Sequence, residues 1–312
     1  MRRLISLFVS AAILALLWWK IDIDAILAAF RTCDFFWLTC GLAAIVPLTL
    51  ITAWRFLLLT RSGLGFAAAT RLILSASTLN MLLPSKMGDV AKSWVLTKRY
   101  DFDWRHALTI VIFEKLLDLG ALLVWGTAAL IWMAHGETTL ILAALANSAV
   151  VAVILLMIAP SSLASTIMLK AAKLLPRRYR AKAADFADKW LEVSRWFWSE
   201  PGRAIGTLAV SLALWAAHLA QFWFFAKALG SGIGMVDNMA FATLSIEVGL
   251  LPFTMAGIGT RDAAIVYFYR AWVSPAQGAA LGVLATSRYL IPALFGLPFI
   301  SDYWNRKQEN SA

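Results

Sequence analysis

Residues 107–133 read ALTIVIFEKLLDLGALLVWGTAALIWM, and the physical demands of this run extend to the rest of the chain. A helix of about 20 mostly apolar residues crosses the hydrocarbon layer of a bilayer, and this run is longer than that. It nevertheless carries Glu114, Lys115 and Asp118. Glu114 and Asp118 stand four apart and share a helix face. Counted from His106 at 1.5 Å per residue, they lie roughly 12 and 18 Å along the helix, inside the hydrocarbon. A charge at that depth costs about 2.5–3.5 kcal/mol on insertion scales, so the two carboxylates need partners or protonation. Lys86, Lys92, Lys115, Arg261 and Arg288 are the candidate partners. Two compatible readings follow: a structural salt-bridge network, or a site for a substrate, proton or ion.

Composition extends this reading. Hydrophobic residues make up 61% of the 312 positions and charged residues 15%, far from the roughly half-apolar, quarter-charged balance of soluble domains. Apolar runs at about 4–19, 35–59, 107–133, 139–159, 204–229 and 277–300 predict six full spans. Runs at about 72–84 and 238–252 are shorter and end in sequence containing Pro and Gly, which predicts re-entrant or broken helices. The expected fold is an all-α integral membrane protein: one polytopic domain over 1–312, with six full spans and two helical hairpins. The alternative is eight full spans.

The net charge of +10 sits between apolar segments rather than along an aromatic-studded groove, so it points to positive-inside bias and not to nucleic acid. Arg2 and Arg3, then Arg55, Arg61 and Arg71, then Lys98, Arg99 and Arg105 fall on one side. The loop carrying Lys170, Lys173, Arg177, Arg178, Arg180, Lys182, Lys189, Arg195 and Arg203 joins them, as do Arg306 and Lys307. Both termini are expected in the cytoplasm. The basic N-terminus with its apolar run resembles a signal peptide, but bulky Trp18 and Trp19 stand where small residues would permit cleavage, so a retained anchor is expected. Other tryptophans, such as Trp37, Trp54 and Trp304, read as interfacial anchors.

Within the basic loop at about 170–203, Phe186, Trp190, Val193 and Phe197 recur at helical spacing opposite Lys182, Lys189 and Arg195. An amphipathic helix lying on the inner leaflet is expected. Cys33 and Cys40 are seven positions apart, roughly 10 Å along a helix, too far to bridge. No metal site, Walker A sequence, HExxH, GxSxG or paired CxxC is present, so no cofactor is expected, and neither a standalone hydrolase nor an ATP-driven pump.

Self-similarity organises these pieces. Leu82-Leu83-Pro84-Ser85-Lys86-Met87-Gly88-Asp89 is echoed by Leu250-Leu251-Pro252-Phe253-Thr254-Met255-Ala256-Gly257. The first copy continues to Lys92, the second to Gly259, Arg261 and Asp262. The spans flanking the two copies run in opposite senses, predicting inverted repeats at about 35–133 and 204–300. Such repeats place broken-helix N-termini near the midplane, facing anionic ligands; breaks that merely turn an interfacial loop are the alternative. Glu247, at the approach to the second hairpin, is a candidate binding or gate residue. His218 and Gln221 stand at i, i+3 and read as interhelical hydrogen bonders.

In order and spacing, these motifs resemble the lysylphosphatidylglycerol synthase transmembrane region, or flippase-like domain. That pattern has an Asn, a Leu-Pro-x-x-x-Gly-Glu-x-x-Arg stretch, a Glu-Arg-x-x-Asp helix, and a late Pro followed by Gly-x-Gly-x-Arg-Glu. Here these read Asn80; Leu83-Pro84, Gly88-Asp89 and Lys92; Glu114-Lys115 and Asp118; Pro252 and Gly257-Ile258-Gly259-Thr260-Arg261-Asp262. Arg288 resembles a basic residue in the last helix. Asp89 and Asp262 stand in place of Glu, and Lys92 and Lys115 in place of Arg; charge survives, but Lys lacks the planar fork that grips phosphate at two points. The resemblance covers roughly residues 10–300.

What the resemblance implies is a protein of the bacterial cytoplasmic (inner) membrane that moves a phospholipid, anionic or aminoacylated, or a lipid-linked envelope precursor, between leaflets. Lys86, Lys92, Arg261 and Arg288 would attract the phosphate, with Glu114 and Asp118 pairing with them or with a cationic headgroup. In bifunctional relatives a soluble aminoacyl-transfer domain follows; here the chain stops at Ala312, and no such domain is expected. The rival readings are a lipid-modifying transferase with the carboxylates as general bases, and a non-catalytic membrane subunit or scaffold for a lipid-modifying enzyme.

Overall fold

The protein is represented by a computed structural model that describes residues 23–61, 64–82, 87–174, 176–251 and 259–303. The expected first span, the basic termini, and Pro84, Lys86, Pro252 and Gly257 lie outside the described residues. Among the described residues every regular element is helical: α1 (Ile23–Arg31), α2 (Phe35–Ala43), α3 (Ile45–Thr60), α4 (Phe66–Leu82), α5 (Met87–Tyr100), α6 (Trp104–Ala134), α7 (Thr138–Ile158), α8 (Ser162–Ala172), α9 (Arg177–Trp198), α10 (Pro201–Ala228), α11 (Met235–Leu250), α12 (Thr260–Phe268), α13 (Pro275–Gly296), and a closing 3-10 turn (Leu297–Tyr303).

Local chemistry sets several of these ends. The Asp34 carboxylate accepts from the backbone N–H of Phe36 and Trp37 and starts α2, and Asp103 caps α6 through the N–H of His106. Each satisfies donors that a helix N-terminus leaves open. The α2–α3 joint falls at Ala44, three residues before Pro47, which has no N–H to give the helix ladder.

Among the described residues, four helices are long and apolar enough to cross a membrane: 35–60, 138–158, 201–228 and 275–300. They coincide with four of the expected spans. Helix α6, with 31 residues, is about 46 Å long and has the length to cross; its internal charges set it apart by composition. Outward-facing residues are apolar, among them Val46, Ile131, Leu142, Leu145, Val153, Leu294 and Phe295. Surfaces of this kind are stable against lipid and costly against water.

The two short apolar runs form α4 and α11, each the first arm of an antiparallel hairpin. In the first, Gly88 lies against Asn80, and Leu72, Leu79, Val95 and Leu96 share one core. In the second, Gly249 meets Arg261, Phe241 stacks on Phe268, and the Tyr269 hydroxyl bonds the Asn238 side chain at 2.9 Å. The hairpins pack crosswise. Helix α4 of the first lies along α13, α11 of the second lies along α6, and α10 lies against both α2 and α3.

Two features depart from expectation. The amphipathic helix forms as α9, but Trp190, Val193 and Phe197 are almost wholly buried in a core with Ile110, Phe113 and Leu117 of α6, and the Trp190 indole donates to the carbonyl of Met157 at 2.8 Å. Its apolar face is covered by protein, not by the leaflet. Arg55, counted among the loop cations, is instead 1% exposed inside α3.

Candidate functional site: a paired and an unpaired charge cluster

Helices α3, α5 and α6 bring six charged groups together. The Arg55 guanidinium donates to Asp118 at 2.6 Å and lies 3.6 Å from Glu114. The Lys92 ammonium meets Glu114 at 2.6 Å and Asp89 at 3.2 Å. Lys115 lies 3.3 Å from Asp89 and 3.5 Å from Asp118. Helical spacing puts Asp89 with Lys92, and Lys115 with Asp118, on shared faces one turn apart. Three cations and three anions sum to zero, which is how charges survive such burial. Glu114 and Lys92 are each 1% exposed, whereas Lys115 keeps 43% of its side chain accessible; the network opens on that side.

Neighbours hold it in place. Asn80 donates to the Asp89 carboxylate and accepts from the Asp89 N–H, at 3.3 and 3.2 Å. Gly88 makes this hairpin closure possible, since a Cβ there would stand 2.7 Å from the Asn80 nitrogen. The Phe56 ring lies 5.1 Å from the Lys92 ammonium. Ser211 of α10 accepts from Arg55 at 3.2 Å.

The second hairpin carries a smaller cluster. Gly259, at φ 101°, donates its N–H to Asp262 at 3.0 Å and begins α12. Only Gly takes such a φ without strain. Arg261 is committed to Asp262 at 2.8 Å, to the Thr286 hydroxyl at 2.7 Å and to the Gly282 carbonyl at 3.3 Å. Gly282 lets α13 come this close, since a Cβ there would meet the Asp262 carboxylate at 2.9 Å.

Arg288 of α13 differs from these. It is 9% exposed, faces the Phe222 ring at 4.9 Å, pairs with no carboxylate among the described residues, and its buried Nε has no hydrogen-bond partner. Ser211, Trp215, His218 and Phe222 recur on α10 at i, i+4, i+7 and i+11, a single stripe. This stripe joins Arg55 at one end to Arg288 at the other, roughly 16 Å apart along the helix. Between them the Trp215 and His218 rings are 5.6 Å apart, and the Trp215 Nε1 and His218 Nδ1 are buried without partners. Gln221 makes the interhelical bond expected of it, to the Gly41 carbonyl at 2.7 Å, leaving its own oxygen unpartnered.

The expected residues thus divide. Asn80, Gly88, Asp89, Lys92, Glu114, Lys115 and Asp118 meet in one network; Gly259, Arg261 and Asp262 meet beside α13, near Arg288. Glu247 stands apart, bonded to Asn147 of α7 at 3.2 Å. Lys92 and Arg261, expected to attract phosphate, spend their charge on carboxylates. Arg55 and the α10 stripe escaped the sequence reading. The signal for Arg55 was its place within the apolar run ITAWRFLLLT, whereas its partners come from helices far away in sequence.

The fold and its polar core define a multi-pass helical membrane protein. The description "Lysylphosphatidylglycerol synthase TM region" matches residues 3–296, nearly the whole chain, and the protein belongs to that family. No curated protein matches the chain.

Proposed function

We propose that the protein moves an anionic or aminoacylated phospholipid, or a lipid-linked envelope precursor, between the leaflets of a bacterial cytoplasmic (inner) membrane, with both termini on the cytoplasmic side. The observation that carries this reading is the contrast between six mutually neutralised charges and the buried guanidinium of Arg288, which has no carboxylate partner among the described residues, at the end of a polar stripe. A buried cation without a counterion is costly. A phosphate-bearing headgroup would relieve that cost, and the unpartnered nitrogens of Trp215 and Arg288 are donors suited to it. The partly open side of the neutral network exposes the Lys115 ammonium, a donor suited to a phosphate or carbonyl oxygen of the headgroup.

The crosswise packing supports an inverted repeat. The exchange of α4 onto α13 and α11 onto α6, about a central α10–α3 contact, is the pattern two oppositely oriented halves would give. Re-entrant hairpins at the midplane and alternating access by rocking of the halves follow from that reading. The protein acts without catalysis: the carboxylates of the network are held by cations and are poorly placed as general bases.

A second reading, a membrane subunit docking a lipid-modifying enzyme, draws on α9. Its apolar face is already buried, and its outer face exposes Arg177, Arg178, Arg180 and Lys182. Mass spectrometry of lipids retained by the purified protein tests the first reading. Wild type should hold an anionic lipid that Arg288→Gln loses; equal retention by the two would contradict it. A stoichiometric enzyme partner in place of bound lipid would favour the second.

A further inference from the structure

We propose that Glu247, with Asn147, forms a proton-binding site separate from the ion-paired network, and that its protonation docks the α11–α12 hairpin against α6 and α7. The inference extends the transport reading by giving it a coupling ion.

Glu247 differs from the other carboxylates of the helical core. Asp89, Glu114, Asp118 and Asp262 each touch a Lys or Arg; Glu247 has, among the described residues, one polar partner, the neutral amide of Asn147 donating at 3.2 Å. The contact is built into the helix packing. Helix α11 lies along α6, and the Glu247 carboxyl enters a notch that exists because residue 126 is glycine. A Cβ at Gly126 would stand 2.8 Å from the Glu247 carboxyl carbon and 2.9 Å from the Asn147 amide nitrogen. A carboxyl pressed into a helix groove with no cation is far better tolerated neutral than charged.

The surrounding titratable groups leave Glu247 alone in this role. Helix α7 has no Asp, Glu, Lys or Arg between Thr138 and Ile158. On α6, Glu114, Lys115 and Asp118 are committed to the network, and Asp118 stands eight residues from Gly126, about 12 Å along the helix. On α12, Arg261 and Asp262 close on each other. On α10, His218 lies on the stripe facing Arg288, and Lys227 lies over the Trp223 ring. On α11 itself, Asp237 is ten residues away, beside the Trp132 indole. Glu247 can therefore gain or lose a proton without breaking an ion pair.

The consequence is mechanical. Protonated, the carboxyl stays in the notch, accepting from Asn147. Ionised, its only polar partner is an amide, and hydration favours withdrawal from the groove. Glu247 is two residues from Gly249, which packs against Arg261 at the start of α12, so movement of α11 reaches the start of α12 directly.

Full-length protein in phospholipid nanodiscs tests this with two readouts that do not require lipid movement: the infrared band of a protonated carboxyl, and hydrogen exchange of α11 amides corrected for intrinsic pH dependence. As pH is raised, wild type should lose the band and α11 protection should fall. In Glu247→Gln the band change should be absent and protection constant. Gly126→Ala, which fills the notch, should leave α11 poorly protected at every pH. The proposal is overturned if Glu247→Gln keeps the same band change, if its α11 protection follows pH as in wild type, or if Na+ at fixed pH reproduces the response. Lipid retention through Arg288 is read separately, so failure of the proton site and failure of the transport reading are distinguishable.

Discussion

Arg55 and Arg288 are both buried arginines, and their surroundings predict opposite responses to removal. Arg55→Gln strips the nearer of two counterions from Asp118 and part of the compensation of Glu114, and should cost about 3–5 kcal/mol, as expected when one partner of a buried pair is lost. Arg288→Gln leaves no carboxylate unpaired among the described residues and removes a charge that none of them compensates, so stability should hold or rise. Thermal unfolding in detergent reads both, and a comparable loss at the two positions would contradict the assignment of Arg288 as unpaired. Much of this scale was legible in the sequence. Asp89, Lys92, Glu114 and Asp118 announce themselves as charges in or beside apolar runs, which lipid does not tolerate without compensation. Their pairing was not legible. Arg55 lies five residues from the end of its helix, where a cation reads equally well as a basic flank, and nothing in its neighbourhood names Asp118 as the partner.

At the scale of the helix, α9 shows where periodicity stops being informative. The spacing of Phe186, Trp190, Val193 and Phe197 correctly gives an apolar face, but a face does not specify what covers it, and here the cover is α6. Trp190→Ala is therefore expected to cost about 3–5 kcal/mol, the usual range for emptying a core aromatic site, read as a lower unfolding temperature. A helix lying on lipid would lose far less. The hairpins were legible because Pro and Gly interrupt short apolar runs. What the sequence could not convey is how closely their arms approach. Gly88→Ala places a methyl group against Asn80 and should cost about 1–3 kcal/mol through overpacking, with faster hydrogen exchange in α4 and α5. Helix α1 escaped the sequence reading because nine residues beside a longer apolar run give too short a pattern to separate from a loop.

Across the whole molecule, the proposed opposed halves draw their support from the exchanged packing of the two hairpins. Thr78 donates to the Ala293 carbonyl at 2.6 Å, so a Thr78→Cys/Ala293→Cys pair should cross-link readily in native membranes. If the halves must separate for transport, the cross-link should slow it and reduction should restore it. Rapid transport through the oxidised pair would exclude relative motion at this contact. Lipid movement is tested most directly by reconstituting the purified protein into liposomes carrying a labelled anionic phospholipid in one leaflet. Label should appear in the other leaflet faster than in protein-free vesicles, with the acceleration lost in Arg288→Gln. No acceleration over empty vesicles, or an undiminished rate in the variant, would contradict the proposed transport.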